Sequence, residues 1–492
     1  MPTLIKKIDT LTSHGNVEGR RTVLTILEAG LKAADPYSRA RRLIAAEGCK
    51  LIIGVKDMQA STSEGKPITE PLIFDLSKVK NIYVVGGGKA AQRQAKAIED
   101  VLGDLITEGQ VNAKKGEQVQ LSKIGVTLAG HPLPDEDSVK GSKKILEILR
   151  KARKDDIVFF SESGGSSSLM ALPAPGLTIE DVKEVTRKLY FECGASMWDT
   201  NVVRWNLAIL RGREKRYVGE ATLIVFSCDE RPPGIRVNLR SIQGHGSYQD
   251  AINILKKYDL WDQVPQRVRE HLLKADPEYE TLRPEELIGR PHYHFRVIGP
   301  EHMLEAAKRE AERLRVNTTV IVSSLSDIEA RAAGETLAYM AQEVETYGRP
   351  LKTPCVLICG GELLVKVGDK RGLGGRNQEF VLATAPRIAK SKNIVIASAD
   401  SDGTDGPTDA AGGIVDGYTW ERAEREGLDI SSELDDHNSY GVLSKLNDLV
   451  FTGAQGTNVQ DLRLIYIGGR TKVVFSALPE YLRTLIPKVN DA

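Results

Sequence analysis

Residues 81–91 read NIYVVGGGKAA, and this stretch sets the pattern for the chain. The apolar run from Asn81 to Val85 predicts a buried strand, and Gly86 to Lys89 open a helix that runs to about Leu102. A strand that turns through glycines into a helix is the repeating unit of α/β proteins. Exposed amides at the helix start, beside the Lys89 ammonium, form an anion site. The alternative is a solvated lysine at a helix start, and spacing alone does not separate the two.

The same alternation continues along the chain and predicts an α/β protein with largely parallel sheets. Further strands are predicted at residues 157–160, 221–226, 295–298, 318–322, 355–359 and 394–397. Helices are predicted at residues 23–43 (broken at Asp35-Pro36), 138–152, 177–191, 301–315 and 328–347. Residues 56–70 and 107–120 are polar and predicted to be loops, the second of them mobile. A link near residue 290 divides the chain into domains of residues 1–290 and 291–492.

Composition and charge exclude several classes of protein. The 492 residues include 67 Lys+Arg and 67 Asp+Glu, so no overall field favours nucleic acid or an anionic membrane. No apolar run approaches the roughly 20 residues of a spanning helix, and the N-terminus MPTLIKKIDTLTSHG lacks the apolar core of a signal peptide. The five scattered cysteines are predicted to be reduced and mostly buried. We therefore expect a cytoplasmic protein that binds neither nucleic acid nor membrane.

The triple-glycine loop also satisfies a loose G-x-G-x-x-A dinucleotide fingerprint through Gly86, Gly88 and Ala91. That fingerprint needs a second strand ending in an acidic residue about 20 residues on, and the segment TEGQVNAKKGEQ offers no clean strand. A Walker loop fails as well, because its four-residue spacer and the Ser or Thr after the lysine are absent. The loop therefore disfavours a nicotinamide-dependent enzyme.

Two more glycine-rich loops are candidate anion sites. SESGGSSS, residues 161–168, offers amides and hydroxyls to phosphate or carboxylate oxygens, or else forms a plain strand–helix turn. It lacks the G-x-S-x-G pattern and a positioned histidine, which disfavours a hydrolase. In RGLGGRNQEF, residues 371–380, Arg376 and Asn377 project from a helix start. They suit phosphoryl transfer, or they form a surface ion pair and a helix cap.

An aspartate-rich loop, SADSDGTDGPTDAAGG at residues 398–413, follows the apolar run at 394–397. Carboxylates on a glycine-rich loop at a strand end suit a hard cation and a phosphorylated ligand, although a solvated turn is the alternative. A calcium EF-hand is rejected, because Asp405 and Ala411 stand where that loop needs Gly and Glu. Among the histidines only His131, in GHPLPD, stands out, and a lone histidine beside proline is more often structural than catalytic.

Together, seven ordered motifs resemble the glycerate 2-kinase family, whose C-terminal part is known as the MOFRL domain. They are GGGKAA (86–91), GHPLPDE (130–136), SGGSSSL (163–169), LPAPGLTIED (172–181), GGRNQE (374–379), DGTDGPTDAAGG (402–413) and TGAQGTNVQDL (452–462). The resemblance covers about residues 20–475. It implies a Rossmann-like, doubly wound N-terminal domain, a MOFRL-type α/β C-terminal domain and an active site in the cleft between them. It also implies transfer of the ATP γ-phosphoryl group to D-glycerate, giving 2-phosphoglycerate, with Mg²⁺.

The resemblance assigns roles residue by residue. Lys89 and Arg376 match residues that act on the transferring phosphate or the substrate, and Asp229 and Asp405 are candidates to take the hydroxyl proton. Asp402 and Asp405 are assigned to Mg²⁺. Arg204 suits a bidentate clamp on the substrate carboxylate. The remaining substrate- and phosphate-binding residues are Gly87, Gly88, Ser163, Gly164, Gly165, Ser166, Ser167, Asn201, Asn377, Glu379, Thr404, Thr457 and Asn458.

Departures from the family pattern concern the acceptor more than the phosphoryl donor. Trp205 and Asn206 stand where the family has Lys-His, and CDERPPGIRVNLRSIQGHG at 228–246 replaces the usual acidic loop. Asp400-Ser401 replaces a Gly-Thr pair. The alternatives are therefore a kinase for a four-carbon aldonate, an NAD(P)H-dependent hydroxypyruvate reductase, as some members have been labelled, or a non-catalytic ligand-binding relative. A homodimer is left open.

Overall fold

The structure is a computed structural model that describes residues 3–469 apart from 57, 231, 233–245 and 283. Its strands are β1 (Ile44–Glu47), β2 (Lys50–Ile53), β3 (Ala60–Thr62), β4 (Leu72–Asp75), β5 (Ile82–Gly87), β6 (Glu108–Lys114), β7 (Gly125–Ala129), β8 (Ile157–Ser163), β9 (Thr222–Cys228), β10 (His292–Ile298), β11 (Asn317–Val322), β12 (Cys355–Gly361), β13 (Ile394–Asp400), β14 (Gly412–Asp416), β15 (Leu449–Val450) and β16 (Asp461–Ile467).

The α-helices are α1 (Ile8–Leu11), α2 (Val17–Ala33), α3 (Pro36–Arg42), α4 (Ala91–Leu102), α5 (Glu136–Lys151), α6 (Ser166–Leu169), α7 (Ile179–Thr186), α8 (Met197–Asn206), α9 (Glu214–Tyr217), α10 (Tyr248–Lys257), α11 (Gln266–Lys274), α12 (Pro300–Arg313), α13 (Ala330–Tyr347), α14 (Arg376–Ile388), α15 (Thr419–Arg425), α16 (Ile430–Asp435) and α17 (Ser439–Lys445). A π-helical turn, Arg187–Glu192, extends α7. Within the described ranges, no helix combines the length and the apolar character needed to cross a membrane.

The larger sheet has the strand order β3-β10-β9-β8-β5-β6-β7, and its pairs are parallel except for β3 with β10. The parallel strands follow the 3-2-1-4-5-6 order of doubly wound Rossmann sheets. Both faces are covered, since Val84 and Phe159 pack into one apolar cluster while Val85 and Phe160 pack into another. The predicted Rossmann-like architecture is confirmed. The order reverses between β5 and β8, and ligands bind in the crevice outside the carboxyl ends of such strands.

The prediction of a mobile loop at residues 107–120 is wrong, because residues 108–114 form β6 between β5 and β7. Its sequence, EGQVNAK, carries buried amides instead of an apolar run. Gln110 donates to Thr127 Oγ1 at 2.9 Å, and Asn112 donates to the Leu169 carbonyl at 2.8 Å. A strand whose buried polar groups find partners is stable without giving a hydrophobic pattern in the sequence.

The second large sheet has the order β11-β12-β16-β13-β14-β15 and is mixed. Its β11–β12 pair is parallel, and the other described pairs are antiparallel. The prediction of a largely parallel sheet is therefore wrong for this half. The reason is that β16 inserts between β12 and β13 in the opposite direction, and β14 returns beside β13. β12 and β13 still run in the same direction, so their carboxyl ends meet at one edge of the sheet.

The division of the chain between the two large sheets does not follow the order of the sequence strictly. β10, residues His292–Ile298, pairs within the larger sheet, so a division by sheet falls after Ile298. The predicted boundary at residue 290 stays a prediction. Conversely, α2 comes from the first half of the chain but packs against the second large sheet, with Gly19 against Val395 and Gly30 against Leu462. A third, three-stranded sheet has the order β1-β2-β4.

Two local predictions are confirmed. The first long helix breaks where expected, since α2 ends at Ala33 and the Asp35 carboxylate accepts hydrogen bonds from the Tyr37 and Ser38 amides, both at 3.2 Å. Pro36 fits the first position of α3 because that position needs no N–H donor. All five cysteines are free, and Cys228, Cys355 and Cys359 are buried.

A buried ion network holds α2 on the second sheet. Arg20 is fully buried, and its Nε and Nη1 bind Asp416 Oδ2 at 2.5 Å and Asp448 Oδ1 at 2.7 Å. His14 Nε2 lies 2.7 Å from Asp448 Oδ1, and Arg422 Nη1 lies 2.9 Å from Asp448 Oδ2. Buried charges of this kind are tolerated because each is paired and hydrogen-bonded.

We expect Arg20→Met to lower the free energy of unfolding by about 3–5 kcal/mol, because it leaves two aspartates buried without their main cation. Urea unfolding measures the change. The matched control is Lys123→Met, which removes the exposed ion pair with Asp104 and is expected to leave stability unchanged within error. Equal effects of the two substitutions would contradict a stabilising role for the buried network.

Candidate active site

A cavity of about 1170 Å³ lies between the two large sheets. One side is lined by the segments at the carboxyl ends of β5 to β9, and the other by those that follow β12 and β13. A third wall comes from α8 and the turns on either side of it. Strand carboxyl ends from both sheets therefore face one cavity, which is where α/β sheets bind ligands and where the sequence predicts the active site.

The two loops at the reversal point of the first sheet pack directly against each other. Gly88 has a φ of +136°, and a Cβ added there would lie 2.2 Å from Ser163 Oγ. Ser163 Oγ in turn accepts a hydrogen bond from the Ala90 amide at 2.8 Å, and the Lys89 amide donates to the Gly164 carbonyl at 3.0 Å. Gly88 is therefore needed for close packing of the loops. This packing fixes the point from which the Lys89 side chain leaves the backbone.

Lys89 reaches across the cavity to the aspartate-rich loop. Its Nζ lies 2.6 Å from Asp402 Oδ2, and both side chains are largely buried. Burial opposes the charged forms, but the pair overcomes it: the pKa of Lys89 is raised and the pKa of Asp402 is lowered from their ordinary values. Asp402 Oδ1 accepts from the Thr404 amide at 2.8 Å and from its hydroxyl at 2.9 Å. Lys114 Nζ, at the end of β6, donates to Thr404 Oγ1 at 3.1 Å.

Arg376, the first residue of α14, is held by three carboxylates. Its guanidinium lies 2.9 Å from Asp461, 2.6 Å from Asp400 and 3.1 Å from Glu362. Burial would lower the pKa of Arg376, but these charges outweigh it and raise that pKa well above its ordinary value. Burial and the neighbouring Asp402 raise the pKa of Asp400. Asp400 and Asp461 are register partners in the neighbouring strands β13 and β16. The pairing of the two strands therefore sets the distance between the two carboxylates that bind Arg376.

Asp405 faces the protein interior, away from the cavity. Its carboxylate accepts from the Asn377 amide at 3.1 Å, the Gln378 amide at 2.9 Å and the Gln378 side chain at 3.0 Å. It therefore caps the start of α14, where it satisfies N–H groups that a helix leaves free. Asn377 is also buried, between Asp405 and the Ser398 hydroxyl. This geometry differs from the predicted metal and proton-transfer roles of Asp405, because its oxygens are already occupied.

Arg204 on α8 is a buried cation of the cavity for which no acidic partner is found among the described residues. Its side chain is about 5% exposed, and Nε and Nη2 have no hydrogen-bond partner among the described residues. Its Nη1 lies 3.5 Å from Asn201 Oδ1. Burial, offset only by Tyr190, lowers the pKa of Arg204 to about 10. A buried guanidinium without a carboxylate is costly for the folded protein. Because Arg204 lines the cavity, this cost points to an anionic ligand there.

The serine-rich loop is fixed from the wall that carries Arg204. Trp205 Nε1 donates to Ser167 Oγ at 2.9 Å. Arg211 Nε donates to Ser166 Oγ at 3.0 Å, and Arg211 also binds Glu162 at 3.2 Å and Glu214 at 2.7 Å. The loop hydroxyls are thus held in place by these side chains, which leaves its backbone beside the cavity.

The remaining predicted residues have partners within the protein. Asp229, at the end of β9, is paired with Arg296, and the Asn458 amide donates to Glu230. Glu379 Oε2 lies 2.9 Å from His437 Nδ1. Thr457 is buried outside the cavity lining. Of the altered segment 228–246, residues 231 and 233–245 lie outside the described part of the chain.

The structure brings most of the predicted site residues to the cavity. Those that line it are Lys89, Ser163, Gly164, Gly165, Ser166, Ser167, Asn201, Arg204, Asp229, Arg376, Glu379, Asp402, Thr404 and Asn458. Those that do not are Gly87, Gly88, Asn377, Asp405 and Thr457. Their predicted roles stay predictions, and the contacts described above give Gly88, Asn377 and Asp405 structural reasons to be present.

Sequence reasoning overlooked several residues of the lining. Lys114 lies on the strand that was predicted as a loop, and Glu362 directly follows β12. His131 lines the cavity too, within the motif GHPLPDE that the sequence singled out. For His131 the signal was therefore present, but a structural role was favoured.

Family models match both halves of the chain. A domain of unknown function, DUF4147, matches residues 22–273, and the MOFRL family matches residues 355–461. The chain is 37% identical over 453 residues to a glycerate 2-kinase of Pyrococcus horikoshii, covering 90% of this chain and 96% of that protein. The chain belongs to the glycerate 2-kinase family.

Other members agree with this assignment. The chain is 36% identical over 389 residues to a D-glycerate 2-kinase of Thermotoga maritima, covering 77% of this chain and 89% of that protein. A crystal structure of a glycerate kinase of Thermotoga maritima superposes with a TM-score of 0.69 at 30% identity, covering 91% of this chain and 99% of that chain. The resemblance of the sequence motifs to the glycerate 2-kinase family is therefore confirmed, as is the α/β fold.

We expect Asp405→Ala to lower the free energy of unfolding by about 2 kcal/mol or more, since it removes a helix cap and leaves buried N–H donors unpaired. Chemical denaturation measures the loss. Asp369→Ala, at an exposed aspartate of the same half, serves as the control and is expected to have no measurable effect. A stability of Asp405→Ala equal to that of the parent chain would contradict the capping role.

Proposed function

We propose that this chain transfers the γ-phosphoryl group of ATP to the 2-hydroxyl of D-glycerate, with Mg²⁺. The observation that carries the proposal is the distribution of charge in the cavity. Arg204 is buried without an acidic partner on the α8 wall, while Lys89, Lys114 and Arg376 enter the cavity from the strand ends of the two large sheets. One cavity can thus bind both a carboxylate and phosphates. The related proteins named above are glycerate kinases, which supports the same function.

The Arg204 wall suits the carboxylate of the acceptor. A guanidinium presents a planar fork that matches a carboxylate with two parallel hydrogen bonds. Nε and Nη2 have no hydrogen-bond partner among the described residues, so this edge of the guanidinium is not engaged within the protein. Binding a carboxylate there would also remove the cost of a lone buried charge, which favours an acceptor that carries a carboxylate.

The cations at the strand ends of the two large sheets suit the phosphates of ATP. Phosphoryl transfer needs little covalent chemistry from the protein, and depends on positioning and on neutralising the charge of the transferring oxygens. Lys89 and Arg376 are rigidly placed cations, the first on a pair of interlocked loops and the second between neighbouring strands. Lys114 adds a third ammonium beside Thr404.

The carboxylates present fit Mg²⁺ that arrives with the nucleotide. Within the described residues, no three acidic, histidine or cysteine side chains converge as a metal site. Mg²⁺ in phosphate-transfer sites is usually held by one or two carboxylates together with phosphates and water. Of the two aspartates that the sequence assigns to the metal, only Asp402 lines the cavity, so it is the residue that would hold the ion, through an oxygen that it shares with Lys89. When bound, the ion would neutralise phosphate charge.

An NADH-dependent reductase gains no support from the second strand of the Rossmann-like sheet. In dinucleotide-binding sheets that strand ends in an acid, which holds the ribose hydroxyls. Here β6 ends at Lys114, whose ammonium faces the cavity. A basic residue in that position suits phosphate better than a ribose diol. A four-carbon aldonate kinase is the nearer alternative, since it needs the same carboxylate and phosphate sites.

A coupled ADP-release assay tests the function over D-glycerate, four-carbon aldonates and other small hydroxy acids. We expect D-glycerate to give the highest kcat/KM, 2-phosphoglycerate to be the product by NMR, and removal of Mg²⁺ with EDTA to abolish turnover. NADH oxidation with hydroxypyruvate is expected to stay at background. Faster turnover of a four-carbon aldonate would show that the aldonate, and not D-glycerate, is the acceptor. Nucleotide binding without turnover of any acid would show that the chain is a binding protein and not a kinase.

We expect Arg204→Met to raise the KM for D-glycerate at least about tenfold, since a hydrogen bond to a charged partner contributes about 1.5–3 kcal/mol. Its free energy of unfolding should be equal to or above that of the parent chain, because the substitution removes a lone buried charge. Steady-state kinetics and urea unfolding measure the two effects.

Arg213→Met is the matched control for Arg204→Met. Arg213 is also fully buried, and burial lowers its pKa to about 10. Its guanidinium, however, donates to the carbonyls of Tyr279, Trp205 and Arg211 at 2.6, 2.8 and 3.1 Å. This variant should lose about 2 kcal/mol of stability or more. An Arg204→Met variant that is destabilised as much, with an unchanged KM, would contradict the carboxylate site.

A further inference from the structure

His131 is held in the cavity by its backbone. It lies between β7, which ends at Ala129, and α5, which begins at Glu136. Ser168 Oγ donates to the Pro132 carbonyl at 2.9 Å and lies 3.2 Å from the Gly130 carbonyl, so the serine-rich loop fixes the chain on both sides of the histidine. The Asp135 carboxylate then accepts from the Ser138 amide at 3.1 Å and caps α5. These contacts fix the backbone from which the His131 side chain enters the cavity.

The imidazole and the stem of Lys89 both lie beside Gly165. A Cβ added at Gly165 would lie 3.1 Å from His131 Cδ2, 3.2 Å from His131 Nε2 and 3.3 Å from Lys89 Cγ. The ring therefore occupies the space that a side chain at position 165 would fill. Its half-buried edge faces the cavity, and no described residue forms a hydrogen bond with either ring nitrogen.

Cations surround this histidine. Burial, followed by the charges of Lys89, Lys114 and Arg204, lowers the pKa of His131 well below its ordinary value, and the charge of Asp402 opposes them only in part. The imidazole is therefore neutral at physiological pH, with a lone pair available. The cations assigned above to the phosphates and the arginine assigned to the acceptor carboxylate all act on this imidazole and line the same cavity. An acceptor hydroxyl bound between the phosphates and that arginine would therefore lie close to it.

Five acidic residues of the cavity are already engaged by basic side chains, which makes them less suited to take a proton. Asp402 is paired with Lys89, Asp400 with Arg376 and Asp229 with Arg296. Glu162 binds Arg211, and Glu379 binds His437. Asp405, a candidate from the sequence, accepts N–H bonds outside the cavity. His131 is the neutral base that remains without a partner among the described residues of the lining.

We propose that His131 accepts the proton of the acceptor hydroxyl during phosphoryl transfer; this inference rests on the proposed kinase function. The hydroxyl oxygen forms a bond to the γ-phosphorus, and the bond from that phosphorus to the β–γ bridging oxygen breaks. The electron pair leaves with ADP. The hydroxyl proton moves to a ring nitrogen of His131 and is released to solvent after the product leaves. No oxidant or further reactant is needed.

Substrate binding improves His131 as a base. The acceptor carboxylate offsets the charge of Arg204, and the phosphates offset those of Lys89 and Lys114. Each neutralised cation removes a cause of the lowered pKa, so the affinity of the imidazole for a proton increases when both substrates are present. The free enzyme keeps the histidine unprotonated, and the ternary complex gives it a driving force for proton transfer.

His131→Gln and His131→Ala test the proposal in the full-length chain, with D-glycerate and MgATP as substrates. General-base catalysis contributes about 10²–10⁴-fold, so we expect kcat to fall by about 100-fold or more while both KM values change less than about threefold. For the parent chain, kcat/KM should stay level through neutral pH and fall only below the ordinary range of histidine. That acidic decline should disappear in His131→Gln. Added imidazole should restore part of the turnover of His131→Ala.

His294→Gln is the matched control, because His294 lies on β10 outside the cavity lining, and it should keep the parent kinetics. A kcat of His131→Gln within about threefold of the parent value, or an acidic decline that persists in that variant, overturns the inference. If His131→Gln does not fold, the pH profile of the parent chain and imidazole rescue of His131→Ala decide it in the same way. Normal parent turnover with an unaffected variant refutes this inference alone. A parent chain that phosphorylates no acid refutes the proposed function together with it.

Discussion

The ion pair between Lys89 and Asp402 is the constraint on which the site depends, because it joins the Rossmann-like sheet to the second sheet across the cavity. A buried pair of this kind is stable only when both ends are held with good geometry. Lys89 is held by the packed loops at Gly88 and Ser163, and Asp402 by hydrogen bonds from Thr404. The glycine-rich sequences around them are what allow those backbones to come close.

The charges of the cavity are divided unequally. Near the second sheet Arg376 is balanced by several acids, so its orientation is fixed before any ligand binds. On the α8 wall Arg204 has no such balance. A ligand with a carboxylate at one end and a hydroxyl near the other would therefore be oriented by the unbalanced end, while the balanced arginine and Lys89 stay in place for the phosphates. The unequal division of charge therefore favours one orientation of a bound hydroxy acid, whereas an evenly charged cavity would bind any anion in any orientation.

The sequence predicts the strands that feed the site better than it predicts the sheets around them. Apolar runs ahead of the glycine loops mark β5, β8 and β13, because a buried strand next to a turn has a strong local signal. β6 gives no such signal, since its buried positions carry Gln110 and Asn112, whose partners lie on other elements. The antiparallel insertion of β16 between β12 and β13 is likewise a long-range property, which no local pattern records.

Within the site, motif matching finds the residues but not their directions. Asp402 and Asp405 belong to one seven-residue run, DGTDGPT, yet one side chain enters the cavity and the other caps α14 from behind it. Asp400, outside the matched core, forms an ion pair with Arg376. Asp461 on β16 lies beside Asp400 and binds the same guanidinium. Spacing along a loop fixes how near two carboxylates are, whereas the partners that satisfy them come from distant strands and helices. The chemistry of each aspartate therefore depends on its contacts across the sheet.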